Sequence, residues 1–305
     1  MRVFFIFLDG VGLGADNPEI NPFARAKMPT LESLLGGHKL LASVAPFVGE
    51  RAALLPLDAS LGVAGLPQSA TGQAVLLTGI NIPKKIGEHY GPKPNPAVAG
   101  YLLKGNIFSE LTKSNKKAAL LNAYPPRYFH GVDSGKRLYS AIPLAVTSAG
   151  LPLFTKDDLY AGRALSADFT GAGWRGMLGF PDAPQLSPHA AGKKLAELAG
   201  QYDFSMFEYW ASDYAGHKQD MEWALNQLEV FDGVITGLVE HWNDDEGLIL
   251  ITSDHGNLED LSTRRHTDAK VPGLLIGSSE ARAAFGSGLS DLAGIHKSIL
   301  RVISP

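Results

Sequence analysis

Val3-Phe4-Phe5-Ile6-Phe7-Leu8 is an unbroken apolar run that stops at a carboxylate, Asp9. Successive side chains of an extended chain point to opposite faces. Such a run is therefore buried on both faces, as in a mostly parallel sheet covered by helices. Comparable buried strands are read at 117–123, 204–210, 247–252 and 271–276. Between them, apolar residues at 221, 224, 225, 228, 231, 235, 238, 239 and 242 keep helical spacing. Further helices are predicted over 29–35, with Thr30 as cap, from Ser69 to near Gly79, over 191–200 and over 289–303. The fold class is α/β: three layers, a mostly parallel central sheet and helices on both faces. No repeat or low-complexity linker divides the chain. A single domain over 1–305 is expected, with a small lid or insertion at about 124–190, where Gly, Pro and aromatic residues obscure any period.

Composition narrows the function. Apolar residues make up 45% and charged residues 19%, a globular balance with enough material for a core. Net charge is −4 without a basic block, so no nucleic-acid or membrane partner is expected. The chain has no Cys, which excludes a disulfide scaffold, thiolate-bound zinc and a Cys nucleophile. The first apolar run is too short for a signal peptide and no stretch is long enough to span a bilayer. A cytoplasmic location is the expectation.

The polar residues that follow the strands carry the chemistry. In open α/β sheets, ligands sit outside the carboxyl ends of the strands. Asp9 follows the first strand. Asp213 and His217 follow the strand at 204–210, Asp254 and His255 the strand at 247–252, and His266 lies in the loop before the last strand. Taken singly, each has a bland explanation as a turn, cap or surface residue. Jointly, three carboxylates and three imidazoles at one sheet edge need cations among them, since buried like charges repel and lose hydration. Asp and neutral imidazole suit zinc or manganese. Two such ions roughly 3.5–4 Å apart are the usual clamp on a transferring phosphoryl group. Ser69, at a turn opening a helix, is the candidate nucleophile, favoured by backbone N–H groups and the helix dipole. An ordinary Ser N-cap is its alternative role, and Thr71 is a second candidate hydroxyl.

These segments together resemble the alkaline phosphatase superfamily, in particular cofactor-independent phosphoglycerate mutase and phosphopentomutase. The likeness is carried by Phe7-Leu8-Asp9-Gly10-Val11-Gly12 with the following 21–31, and by Gly65-Leu66-Pro67-Gln68-Ser69-Ala70-Thr71-Gly72. Asp213-Tyr214-Ala215-Gly216-His217, Thr252-Ser253-Asp254-His255-Gly256-Asn257 and His266-Thr267 followed by Val271-Pro272 complete it. It covers roughly residues 1–80 and 200–277. By position, the resemblance implies that Asp213, His217 and His266 hold one metal. Asp9, Asp254, His255 and Ser69 would hold the other, with Ser69 rather than Thr71 as nucleophile. Asn257 would position a ligand or the phosphoryl group, or serve the turn itself.

Two departures redirect the expected activity. Gln73 stands where the mutases have His. The large cap domain of the mutases has no counterpart in the short span between Ser69 and Asp213. Water is then the expected acceptor. The expectation is a two-metal phosphatase or phosphodiesterase acting through a phosphoserine on a small-molecule phosphate ester. Phosphomutase is the alternative, and a non-catalytic metal- or phospho-ligand-binding module a third reading. Arg127, Lys136, Arg137 and Arg175 are the candidates for touching the rest of the substrate. A dinucleotide-binding reading of Gly10-Val11-Gly12-Leu13-Gly14-Ala15 is weak, because Asp16-Asn17-Pro18 breaks the helix that such a loop must open.

Overall fold

A computed structural model describes residues 1–303. Seven strands form one sheet: β1 (Arg2–Leu8), β2 (Phe47–Val48), β3 (Ala52–Leu57), β4 (Ala118–Leu120), β5 (Phe204–Tyr209), β6 (Gly247–Thr252) and β7 (Val271–Ile276). Their spatial order is β2-β3-β7-β6-β1-β5-β4. β1 pairs in parallel with β5 and β6, and β5 in parallel with β4. β7 runs antiparallel to both β6 and β3, and β2 antiparallel to β3. Five strands thus share one direction and only β2 and β7 oppose it, so the sheet is mixed and mostly parallel.

The first apolar run divides as the pleat demands. Phe4, Ile6 and Leu8 enter one core, packed with the helices Pro188–Ala199 and Met221–His241. Val3, Phe5 and Phe7 enter the opposite core, with the helices Ser69–Thr78, Pro96–Lys104 and Leu292–Ile303. β1 has no solvated face, which is why its sequence does not alternate.

Some elements differ from the sequence expectation. β2 and β3 were not predicted; Pro56 is tolerated in β3 because β2 pairs only with Ala53 and Leu54, so that β3 is the sheet edge at Pro56. Thr30 is not a helix cap. Its N–H, together with that of Leu31, is bound by the Asp232 carboxylate of another helix. No helix follows the Gly10–Gly14 loop until Pro22–Arg25, so the dinucleotide-binding geometry is absent. The 124–190 segment folds into short helices, among them Pro126–Asp133 and Ala172–Gly176, and carries a small apolar cluster around Trp174 and Leu159. It is stitched to the sheet by bridges from Asn122 to Leu165 and from Ala123 to Phe154, just beyond β4. No described helix is long and apolar enough to cross a membrane.

Candidate metal centre and nucleophile

The reversed direction of β7 builds the site. A loop before a strand parallel to β6 would lie at the far edge of the sheet. Because β7 is antiparallel, the loop carrying His266 lies at the edge where β1, β5 and β6 end. His266 then stacks on His255, with ring centroids 3.7 Å apart and planes inclined by 14°.

Asp213 and His217 occupy one helical turn of Ala211–Lys218, and His217 Nε2 is 3.3 Å from Asp213 Oδ2. His266 Nε2 is 3.7 Å from Asp213 Oδ1. On the deeper side, His255 Nε2 lies 3.4 Å from Asp9 Oδ1 and 3.6 Å from Asp254 Oδ2. Two groups have ligand atoms mutually within 4.8 Å: Asp213, His217 and His266, and Asp9, Asp213 and His255. The first is the trio implied for one metal. In the second, Asp213 stands between the two halves, while Asp254 borders it through His255. Exposure is graded: the Asp254 and His255 side chains are sealed at 0%, whereas His217 is 43% exposed.

Ser69 is brought to the same place. It is the first residue of a helix whose ten residues are all buried, and the N-cap position belongs to Gln68. Its hydroxyl is therefore not spent on capping; Ser69 Oγ lies 3.0 Å from His255 Nε2. Thr71 is excluded from this role by its own bonds. Its hydroxyl donates toward the Gln68 and Tyr90 carbonyls and accepts from the Tyr90 N–H. Gln73 donates to Asp254 Oδ2 at 3.3 Å, so an uncharged amide stands where the mutases have His.

Two close approaches require glycine. A Cβ on Gly10, which has φ +66°, would lie 2.5 Å from Asp213 Oδ1, and a Cβ on Gly72 would lie 2.8 Å from Asp254 Cβ. Behind the cluster lies a supporting layer, of which the sequence pointed to Asn257 but not to Glu259. Asn257 Nδ2 donates to Asp213 Oδ1 at 2.6 Å. The buried Glu259 accepts from the N–H groups of Gly12 and Asn257, both at 2.8 Å, and from the Thr267 hydroxyl. The only sequence signal for Glu259 was its place two residues after Asn257. Polar groups in a buried turn need partners.

The electrostatics expose the strain of this arrangement. Burial, followed by the neighbouring Asp254 charge, pushes the Asp9 carboxyl up to about 7. Burial likewise raises Asp254. Burial pulls His255 down, but Asp254 and Asp9 outweigh it and hold the ring at about 10. Burial and the His255 charge lower His266 to about 4. Among the described residues, no Lys or Arg forms an ion pair with Asp9, Asp213 or Asp254. Asp9 Oδ1 and Asn257 Oδ1 are buried without a hydrogen-bond donor. Concentrated carboxylate oxygens with unfilled acceptor capacity, beside imidazoles, fit divalent cations.

Of the four basic candidates in the middle segment, Arg127 and Arg137 line a cleft at this sheet edge. Arg175 is committed to the Ala183 carbonyl at 2.6 Å, and Lys136 is solvent-exposed.

A family model described as the Metalloenzyme superfamily matches residues 181–304. Two curated relatives, the 2,3-bisphosphoglycerate-independent phosphoglycerate mutases of Yersinia pestis (strain Pestoides F) and Salmonella paratyphi B, are each 30% identical over 131 residues. Each match covers 40% of this chain, and 25% and 26% of the relatives, so the chain spans about a quarter of their length. Among solved structures, an alkaline phosphatase mutant of the Antarctic bacterium TAB5 with Mg bound has a TM-score of 0.58 at 13% identity. That likeness covers 99% of this chain and 97% of the other. Leishmania mexicana phosphoglycerate mutase, solved at low cobalt concentration, has a TM-score of 0.51 at 12% identity, covering 99% and 95%. At such identities these likenesses establish the fold. Residues 181–304 thus resemble the Metalloenzyme superfamily, and the chain as a whole has an alkaline phosphatase-like fold.

Proposed function

We propose that this protein transfers phosphoryl groups from small-molecule phosphate esters through a phosphoserine at Ser69, as a phosphatase or phosphodiesterase. The observation that carries the reading is the 3.0 Å separation of Ser69 Oγ from His255 Nε2. It places an uncapped hydroxyl of a buried helix start against the ligand cluster. Asp213, His217 and His266 would hold one divalent ion, zinc or manganese, and Asp9, Asp254 and His255 the other, with Ser69 beside it. Bound there, the ions supply Lewis-acid neutralisation of the phosphoryl oxygens and lower the pKa of the hydroxyl.

The chain's own groups do the rest. Ser69 Oγ gives its proton to solvent and attacks phosphorus; the P–O bond to the ester oxygen breaks, and that oxygen departs with the electron pair and takes a proton from water as the phosphoserine forms. The Thr71 N–H is taken by the Tyr90 carbonyl, so the Ser69 and Ala70 N–H groups, with the positive end of the helix dipole behind them, would meet the incoming anion. Asn257 fixes the Asp213 carboxylate. Water then attacks the phosphoserine phosphorus, the Oγ–P bond breaks, Ser69 Oγ takes up a proton from the attacking water, and the phosphate leaves. A phosphomutase is the second reading, favoured by the names of the curated relatives and by a cleft beside the site that can retain the departing alcohol.

The test is chelation, restoration with Mn or Zn, and turnover of p-nitrophenyl phosphate against its bis-ester. Metal-restored release, lost by roughly three orders of magnitude in Ser69→Ala but not in Thr71→Ser, is the expected result. The preferred ester separates phosphatase from phosphodiesterase. Turnover undiminished in Ser69→Ala would refute the phosphoserine route.

A further inference from the structure

The cleft beside the metal centre is built largely by the segment that the sequence left unassigned. It has a volume of about 400 Å³ and opens at the carboxyl ends of β4 and β5. Its walls include Tyr124, Arg127, Tyr128, Arg137, Glu208 and Trp210. Strand pairing and chain continuity each tie it to the metal centre. Glu208 is on β5 opposite Phe7, two residues before Asp9, and Trp210 immediately precedes the helix that carries Asp213 and His217.

The charged groups in this cleft are unspent. Neither Arg127 nor Arg137 makes an ion pair or a side-chain hydrogen bond among the described residues, although the chain is net acidic. Arg137 is seated over the Tyr128 ring, 5.2 Å from its centroid, and this contact orients its guanidinium. Deeper in, the Tyr124 hydroxyl donates to Glu208 Oε2 at 3.2 Å. Asn122 holds that end of β5 through two backbone hydrogen bonds, receiving the Glu208 N–H at 2.7 Å and donating to its carbonyl at 2.8 Å. Glu208 keeps its other carboxylate oxygen for a ligand.

We infer that this cleft binds the non-transferred half of the ester and selects one bearing a second oxyanion, with Arg127 and Arg137 as its clamp and Glu208 as acceptor for a ligand hydroxyl. The inference deepens the proposed function and rests on it for the position of the phosphoryl group. Two guanidiniums with no internal carboxylate lose little on meeting an anion, and their planar forks suit carboxylate and phosphate equally. The tyrosine and tryptophan rings provide the apolar wall for the carbon skeleton between the two charges.

Calorimetric titration of the metal-loaded Ser69→Ala variant separates binding from turnover. Three probes are used: glycerol 3-phosphate, 3-phosphoglycerate and fructose 1,6-bisphosphate. The expected result is binding of one or both esters that carry a second anionic group at least about tenfold tighter than glycerol 3-phosphate, an advantage that disappears in Arg127→Gln and Arg137→Gln. Which ester gains tells carboxylate from phosphate. Both arginines are exposed, so these variants keep the fold, and a thermal melt verifies it. Equal affinity for all three probes, or an advantage that survives both arginine changes, would overturn the clamp. A native protein without Ser69-dependent turnover, whose Ser69→Ala form still shows the arginine-dependent preference, would instead overturn the catalytic reading and leave the clamp standing.

Discussion

Asn257 Nδ2 donates to Asp213 Oδ1 at 2.6 Å and to the Asp213 carbonyl at 3.2 Å, joining the turn after β6 to the helix after β5. Outer partners of this kind orient a ligating carboxylate, and their loss typically weakens metal binding by about 10–100-fold. Asn257→Ala is expected to fall in that range for the ion held by Asp213, read by metal titration. An affinity within twofold of the native protein would remove Asn257 from this role.

Glu259 is the second pillar. Glu259→Ala leaves the Gly12 and Asn257 N–H groups and the Thr267 hydroxyl without their acceptor. Each unsatisfied buried group costs about 1–3 kcal/mol, so a loss of roughly 3 kcal/mol or more is expected in denaturant unfolding. Glu259→Gln retains shape and one acceptor oxygen and is expected to cost less. Equal stability of the two variants would contradict the account.

Gly72 sits inside a helix, where Gly→Ala ordinarily stabilises by up to about 1 kcal/mol. Here the added Cβ would lie 2.8 Å from Asp254 Cβ and from the Asp254 carbonyl oxygen, and Asp254 is fully buried. Overpacking of this kind costs about 1–3 kcal/mol. Gly72→Ala is therefore expected to lower the melting temperature and to weaken metal binding through a displaced Asp254. A stabilised variant would mean that the Asp254 turn yields freely.

Chelator-stripped protein has a definite pH response. Asp9 and Glu208, both raised to about 7, keep protons that the unfolded chain has already released, so stability falls as pH rises toward 7. His266, lowered to about 4, acts in the opposite sense between about 4 and 6.5 and offsets one of the two. Above 6.5 the unfolded imidazole is neutral while His255 stays charged to about 10, so its contribution is lost as pH climbs through that window. The slope is about 1.4 kcal/mol per pH unit for each proton retained. Melting of the stripped protein is thus expected to fall from pH 5 to pH 9. Added Mn or Zn reverses the trend, because ligands bind metal in their deprotonated or neutral forms. A melting temperature of the stripped protein that rises over pH 7–9 would show that His255 is not held charged.

The apolar run 3–8 pointed to the buried strand, being short, unalternating and rich in aromatic and β-branched residues, and its closing Asp9 marked the functional edge. Asp213 and His217 were legible as a pair because four residues bring side chains to one helix face. Asp254 and His255 were legible because polar residues against a clean strand need partners. What the sequence left open depends on contacts between distant segments. Only the antiparallel course of β7 brings His266 to the same edge, and strand direction is set by pairing, not by local composition. The resemblance already favoured Ser69 over Thr71; the bonds to Gln68 and Tyr90 supply the physical reason and leave Ser69 facing His255. Glu259 and Glu208 gave no periodic signal, since their roles come from donors and charges supplied by loops far away in the chain. The cleft of Arg127 and Arg137 belongs to tertiary structure as well. Short helices without a strong period take their positions from the sheet they pack against.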